Sequence, residues 1–372
     1  MPKLTVGDPA PWFAARSTSS PIYHFNSVGG YRVVLSFFGS SEHPKSGELL
    51  NRFCALQSEF EQLNVPFFGV SIAPNDMYLA KWIKHPTYFK FIWDFDYQVS
   101  LLYGICRIIE GDDNQIEYAP TTFVLDERLT ILGVFAIADP TNHVEQVMNF
   151  IKSLPDPEPP SLVTRQAPVL LIPHVLEPEF CQYLIDLYEA DGGADSGFMR
   201  QIDGKTVGVL YHSFKQRRDF FIQDPSLLKK LNDAILRRVK PEIEKAFQFS
   251  ISRFERYLVG CYEATNQGFF NSHRDNTTKG TAHRRFAMSL NLNTGEYEGG
   301  FLRFPEYGSH LYRPGIGEAV IFSCTLLHQA TPVTQGRRFV LLSFFYNEDD
   351  AKLRQENLKY LVPDRNPTTQ NA

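Results

Sequence analysis

No apolar run in the 372 residues approaches the ~20 needed to cross a bilayer, so no membrane span is expected. The first residues place no apolar stretch behind Lys3, so they do not read as a signal peptide. Cysteine is scarce: Cys54, Cys106, Cys181, Cys261 and Cys324 are odd in number, scattered, and form no Cys-x-x-Cys pair. That argues against a disulfide framework or a zinc site and points to reduced thiols in a cytoplasmic protein. Nor is there a surplus of positive charge, since 37 Lys and Arg stand against 42 Asp and Glu for a net −5. Phosphate backbones call for a basic surface, so no nucleic-acid partner is expected. No internal repeat is visible.

What is present is enough apolar material for two cores, including 31 phenylalanines, in a length that suits two domains. The clearest punctuation is Leu154-Pro-Asp-Pro-Glu-Pro-Pro160, which can continue neither a helix nor a central strand. The expected division is a domain over 1–153, a spacer over 154–160, a second domain over 161–362 and a polar, disordered tail over 363–372.

Before the spacer, strands alternate with helices. Tyr31–Phe38 and Val65–Ile72 are continuous apolar runs, as buried strands require. Between them Leu49, Leu50, Phe53, Leu56, Phe60 and Leu63 recur at helical spacing. Helical turns are expected over Asp76–Ile83 and Gln98–Tyr103, and an extended segment over Phe89–Phe95. A hairpin of Thr121–Val124 with Thr130–Phe135 and a last helix from about Asn142 to Ser153 complete an α/β domain.

The motifs Val6-Gly-Asp-Pro-Ala-Pro11, Ser36-Phe-Phe38, Gly69-Val-Ser71, Trp93-Asp-Phe-Asp96, Tyr103-Gly104 and Pro120-Thr-Thr-Phe-Val-Leu-Asp126 occur in that order. Together they resemble the thioredoxin-like fold of the peroxiredoxin (alkyl hydroperoxide reductase) family. That family needs a thiolate just after the first long strand. Here the segment reads Gly39-Ser-Ser-Glu-His-Pro-Lys-Ser-Gly-Glu48, with Ser46 near the place of the reactive cysteine. The family's arginine before the last strand pair is also missing, since Tyr118-Ala119 precede Pro120. Cys54 reads as packing and Cys106 as the candidate exposed thiol. The domain is expected to be catalytically silent.

After the spacer, helices are expected over about Pro178–Ala190 and over Pro225–Phe247, the latter interrupted or restarted at Pro241. From Phe254 onward short strands separated by Gly, Pro and Asn suggest a sandwich or barrel. Within them lies Asn271-Ser-His-Arg-Asp-Asn276. Residues two apart on a strand share a face, so His273 and Asp275 can chelate one metal. His143-Val-Glu145 has the same spacing on a helix, where the two side chains diverge by about 200°, and should not chelate. Far downstream comes His328, in Phe322-Ser-Cys-Thr-Leu-Leu-His328 followed by Pro332-Val333, Gly336 and Arg338. Two histidines and a carboxylate make the facial triad of non-haem iron oxygenases.

The segment from Pro168 to Asn347 resembles the 2-oxoglutarate/iron(II) dioxygenases, in their prolyl 4-hydroxylase-like branch. The resemblance implies a double-stranded β-helix (jelly roll) with flanking helices, and iron(II) on His273, Asp275 and His328. Arg338, rather than the neighbouring Arg337, would hold the far carboxylate of 2-oxoglutarate, and Tyr262 would line that pocket. Leu290-Asn-Leu-Asn293 and Tyr297-Glu-Gly-Gly-Phe-Leu-Arg-Phe-Pro305 also match, with Gly299 and Gly300 suited to a bulge or close approach. Dioxygen is implied as second co-substrate and ascorbate as a further reductant, with no catalytic residue beyond the metal centre. The expected activity is hydroxylation of a small-molecule or peptide substrate, prolyl-like or another amino acid, with release of succinate and carbon dioxide.

His283, His310, His174 and His212 are expected to be structural, and Arg217-Arg218 and Arg284-Arg285 to face solvent. A homodimer is a candidate assembly. Three rivals predict different features. Nucleic-acid demethylation predicts a basic groove. An iron- or 2-oxoglutarate-responsive binding or redox-sensing protein predicts binding without turnover. A thiol redox enzyme predicts the cysteine that Ser46 replaces.

Overall fold

The computed structural model describes residues 3–108, 116–362 and 368–369. The chain divides into two compact units, Met1–Pro160 and Ser161–Ala372. Among the described residues no helix is long and apolar enough to cross a membrane.

The first unit is built on a seven-stranded sheet. Val33–Gly39 is an interior strand, buried at every position, which is why that stretch is apolar without alternation. Phe67–Ser71 and then Phe89–Trp93 pair parallel to it on one side. Thr121–Leu125 and Ile131–Ala136 follow antiparallel on the other, forming the expected hairpin. The helices Pro44–Ala55 and Pro140–Ser153 share one core with the sheet, around Phe53, Phe67, Val147 and Ile151. A second core, around Phe25, Phe37, Tyr103 and Phe123, fills the opposite face. Helices on a sheet with three parallel strands give the thioredoxin-like architecture that the motifs suggested. The turn expected over Asp76–Ile83 is a 3-10 helix over Pro74–Trp82.

The second unit is a jelly roll of two sheets. The larger sheet runs, in spatial order, Leu170–Ile172, Ala319–Ser323, Phe286–Asn291, Arg337–Tyr346, Leu258–Glu263, Arg218–Phe221 and Ala194–Asp195, with Arg253–Phe254 paired onto Arg337–Tyr346. Its outer face is covered by the helices Pro178–Asp191, Pro225–Ala234 and Lys240–Phe247 over a core that includes Leu184, Leu231, Ile243, Val259 and Leu341. The smaller sheet runs Lys215–Gln216, Phe269–His273, His328–Ala330, Leu302–Arg303, Leu311–Tyr312.

The long helix expected over 225–247 is interrupted by a π-turn at Ile235–Val239, just before Pro241. Proline supplies no N–H to the helical ladder, so the ladder changes register there. Strands were expected only from Phe254, yet several precede it. One pair is the hairpin Phe198–Ile202 with Lys205–Leu210. Its turn residues Asp203 and Gly204 both have positive φ (48° and 76°), the geometry that an Asp-Gly turn favours. The expected disordered tail lies outside the described residues except for Thr368–Thr369, whose backbone pairs in parallel with Val209–Leu210.

Candidate metal centre and its cavity

His273 ends the strand Phe269–His273 and is the register partner of His328, the first residue of His328–Ala330. The pairing is irregular between Phe270 and His273. Two residues on, the backbone N–H of Asp275 donates to the Cys324 carbonyl at 2.9 Å, fixing the turn that brings the carboxylate back to both rings. Asp275 Oδ1 lies 3.5 Å from His273 Nε2 and Oδ2 lies 3.4 Å from His328 Nε2. One ligand atom from each of the three residues falls within 4.8 Å of the others.

The ring orientations suit a metal. His273 Nδ1 donates to the Asn271 carbonyl at 2.7 Å, and His328 Nδ1 to the Leu326 carbonyl at 3.0 Å. With each Nδ1 proton held by a backbone oxygen two residues upstream, the tautomer is set and each Nε2 keeps its lone pair toward Asp275. Phe270 stacks on His273 with centroids 3.5 Å apart, and Phe322 lies 4.6 Å from His328. Burial holds His328 down, to about 4, so its imidazole is neutral at physiological pH. Burial works to raise the Asp275 carboxyl, but His328 and His273 outweigh it and hold the group well below the usual carboxylate range. Two imidazoles and one carboxylate with an open side form a donor set that fits a divalent iron.

The centre opens into a cavity of about 840 Å³ lined from both sheets. Arg338 reaches it from the larger sheet, where it lies opposite Tyr262. Only 2 % of Arg338 is exposed. Its Nη2 donates to Asn291 Oδ1 at 2.9 Å and to Ser289 Oγ at 3.3 Å, both neutral, while its Nε–H is buried without an acceptor. A buried cation with no carboxylate of its own is prepared for an anionic ligand. Arg337, one residue away, points to the other face of the strand and pairs with Glu189 at 2.6 Å. Tyr262 lies under Arg338, 5.4 Å from guanidinium carbon to ring centre, and its hydroxyl accepts from Arg217 at 3.3 Å. Gly299 and Gly300, both with positive φ, form a bulge against Val333 and a close approach to Arg338.

Other positions depart from expectation. Arg217 and Arg284 line the cavity instead of facing solvent. Arg217 is bidentate on Asp219 at 2.6 and 2.8 Å, and Arg284 is bidentate on Glu255 at 2.7 and 2.6 Å. Their neighbours Arg218 and Arg285 are the exposed members of each pair. Arg284 also donates to the Asp275 carbonyl at 3.3 Å, and His283 joins the same Glu255 at 3.0 Å. Alternation along a strand, which separates Arg337 from Arg338, would have picked out one arginine of each pair. Lys215 and Arg256 carried no motif of their own, and Asn291 lay in the Leu290-Asn-Leu-Asn293 match with no role assigned to it. His143 is buried on its helix and bonded to Thr122 at 2.8 Å, as a helical decoy should be.

In the first unit, Ser46 is buried in the first turn of Pro44–Ala55, and its hydroxyl donates to the Phe38 carbonyl at 2.8 Å. His43 is exposed. Cys106 is not the exposed thiol expected: it is 4 % exposed, and burial pushes its pKa up to about 11. Burial likewise pushes Cys54 up to about 12.

A jelly roll that gathers two imidazoles and a carboxylate at one point, beside a buried arginine free to take an acid, defines a mononuclear metal oxygenase type of protein. Comparison with known proteins supplies the family. Residues 257–346 match the 2OG-Fe(II) oxygenase superfamily, and residues 6–133 match the AhpC/TSA family. A PKHD-type hydroxylase of Acinetobacter baumannii is 31% identical over 166 residues, which are 41% of this chain and 70% of that protein. A PKHD-type hydroxylase of Pseudomonas paraeruginosa is 27% identical over 170 residues, 43% of this chain and 72% of that protein. A solved prolyl-4-hydroxylase of Pseudomonas putida aligns over 50% of this chain and 94% of its own, at 17% identity and a TM-score of 0.37. The chain belongs to the 2OG-Fe(II) oxygenase superfamily, and carries an AhpC/TSA-like unit ahead of its oxygenase unit.

Proposed function

We propose that this protein is a 2-oxoglutarate-dependent hydroxylase whose iron(II) is held by His273, Asp275 and His328, and that it oxidises a carbon of a free or peptidyl amino-acid substrate. The observation that carries the proposal is the placement of these three ligands in the same cavity as the acceptor-free guanidinium of Arg338. When bound, iron(II) and dioxygen supply the oxidising chemistry, and 2-oxoglutarate leaves as succinate and carbon dioxide.

The chain's own residues do the positioning. Asn271 and Leu326 hold the imidazole protons away from the metal side through their carbonyls. Arg338 receives the far carboxylate of 2-oxoglutarate in a charge-assisted contact, kept in place by Asn291 and Ser289. Tyr262 walls that end of the cavity, and Phe270 and Phe322 exclude water from the histidines. Ascorbate is proposed as the reductant that keeps the iron divalent. The first unit contributes no peroxide chemistry in this reading.

The test is anaerobic addition of iron(II) and 2-oxoglutarate, watching for the weak visible charge-transfer band of the chelate in the wild type, Asp275→Ala and His328→Ala. A wild-type band lost in both variants is the expected result. Its absence from folded, iron-loaded wild type would overturn the proposal. The band without succinate on admission of air, whatever the substrate offered, would favour the binding or sensing alternative.

A further inference from the structure

The cavity has a second cationic end. Arg256 lies just before the strand Leu258–Glu263 and shares a face with Leu258 and Tyr262 by the two-residue alternation, and all three line the cavity. Tyr262 marks the Arg338 end, and the extended chain from there to Arg256 covers about 20 Å. The Leu258–Glu263 strand thus runs between Arg256 at its start and, across from Tyr262, Arg338 on the neighbouring strand. The two are alike in a further respect. Among the described residues, Arg256 and Arg338 are the cavity-lining arginines with a buried Nε–H that has no acceptor.

Around Arg256 the charges do not balance. Lys215 and Arg217 line the same cavity, Arg217 reaching on to the Tyr262 hydroxyl at 3.3 Å, and the carboxylates acting on Lys215 are Asp219 and, from the candidate metal centre, Asp275. Asp219 is already taken by both arms of Arg217 and by the Ser196 hydroxyl. Lys215, 4 % exposed, finds only neutral acceptors, Ser196 Oγ at 2.6 Å and the Gly197 carbonyl at 2.7 Å. Glu255 stands 3.6 Å from Arg256, but its two oxygens serve Arg284 at closer range. Burial, and then Arg217 with Arg256 beside it, push the Lys215 ammonium well below its ordinary range against the opposing pull of Asp219 and Asp275. A wall with this surplus of positive charge, largely out of water, is unfavourable until an anion completes it.

We infer that this wall, built from Lys215, Arg217 and Arg256, binds an anionic group of the substrate to be oxidised, a carboxylate or a phosphate, while Arg338 is occupied by 2-oxoglutarate. The inference rests on the dioxygenase reading of the same cavity. It also restricts the acid. Asp219 is committed to Arg217, which leaves Asp195 at the exposed rim as the remaining carboxylate near the wall and favours an acid without an ammonium group beside the anion. The fitting substrates are N-acylated amino acids, the C-terminal residue of a peptide, or a phosphate ester. A cavity of about 840 Å³ holds 2-oxoglutarate and a second molecule of that size.

The experiment is calorimetric titration of the full chain at low ionic strength, anaerobic and saturated with iron(II) and 2-oxoglutarate. The probes are N-acetylglycine, its neutral amide N-acetylglycinamide, and inorganic phosphate. At least one anion is expected to bind and the amide is not. Arg256→Gln is expected to weaken the anion about tenfold or more, with Arg256→Lys recovering most of the loss. Lys215→Met, with its fold checked by a thermal melt, is expected to act in the same direction. Binding of N-acetylglycine alone assigns a carboxylate, and of phosphate alone a phosphate. No anion binding, equal binding of the amide, or anion binding unchanged in both Arg256→Gln and folded Lys215→Met would overturn the inference. The charge-transfer band of the same wild-type sample reports the dioxygenase reading separately. If that band is missing, the Arg256 series without 2-oxoglutarate still decides whether the wall takes an anion.

Discussion

A Cβ built on Gly300 would lie 2.8 Å from Cδ of Arg338 and 2.9 Å from Cγ2 of Val333. Gly300 also has φ +63°, a left-handed conformation that costs an L-residue about 1–2 kcal/mol. The arginine that receives 2-oxoglutarate in our reading is thus seated by a residue with no side chain. Gly300→Ala must displace either the backbone or the guanidinium. Its half-saturating 2-oxoglutarate concentration is expected to rise about tenfold or more while iron(II) affinity stays at the wild-type value. An unchanged requirement for 2-oxoglutarate would detach Gly300 from the anchor. Gly299→Ala is expected to act differently, because its Cβ would meet the Pro332 carbonyl at 2.2 Å, a backbone atom that cannot swing aside. A lowered melting temperature is the readout there.

Arg338 and Arg337 are neighbours in sequence and opposites in environment, so exchanging them is a sharp test. Arg338→Ala leaves a carboxylate facing a buried pocket without its cation, a loss of roughly 2–5 kcal/mol, or about 30-fold or more in half-saturating 2-oxoglutarate. Arg337→Ala removes an exposed pair with Glu189 that is worth about 1 kcal/mol at most, and should leave that concentration within about twofold of wild type. Equal effects of the two substitutions in steady-state succinate formation would remove Arg338 from the anchor role.

The convergence of His273 and Asp275 was legible in the two-residue spacing, although the strand ends at His273 and a turn, not alternation, returns the Asp275 carboxylate; the same spacing on the helix that carries His143 does not converge. The buried strands of both units were legible as unbroken apolar runs. What escaped was decided by tertiary pairing. Arg217 and Arg284 look like surface charge in sequence, and the buried carboxylates of Asp219, two residues on, and Glu255, on a neighbouring segment, hold them inside. Cys106 followed a turn and looked accessible, but the strand Cys106–Ile108 pairs with Ile116–Tyr118 and the thiol is buried. The short strands between Ala194 and Phe221 have mixed polarity and gain their order from pairing in three different sheets. Only the Asp203-Gly204 turn announced them.

The first unit should lose stability in mild acid through His143. Burial depresses its pKa below 6.5, while in the unfolded chain it titrates near 6.5. The unfolded state therefore binds more protons between those two values, and stability rises with pH across that window. The contribution is fully present above about pH 6.5 and is lost as pH falls toward the folded value. His143 is also tied to Thr122, which meets Ser36 at 2.9 Å in the middle of the sheet, so protonation disturbs a buried polar chain. Thermal melts of the full chain from pH 8 to pH 5 should show a transition that moves down with acid, and His143→Leu should flatten that dependence. A slope that survives the substitution would assign it to other groups.

The Ser46 hydroxyl is turned to the Phe38 carbonyl and is buried, so it is neither deprotonated nor presented to peroxide. The two thiols of this unit, Cys54 and Cys106, are pushed up to about 12 and about 11 by burial, far from the thiolate that peroxide chemistry requires. Full-length protein with a thiol reductant is therefore expected to consume peroxide no faster than buffer, and Cys106→Ser to change nothing. Ser46→Cys restores the family's residue but not its cation, since Tyr118 stands where the family places an arginine ahead of Pro120. Among the described residues the Ser46 side chain bonds only to a carbonyl. A helix N-terminus alone lowers a thiol modestly when the group is buried. That variant is accordingly expected to stay inactive toward peroxide and to alkylate slowly at neutral pH. Rapid peroxide consumption by Ser46→Cys would mean that the peroxidatic geometry is intact and only one atom was lost, and the unit would then have to be read as a recently silenced enzyme rather than as a scaffold.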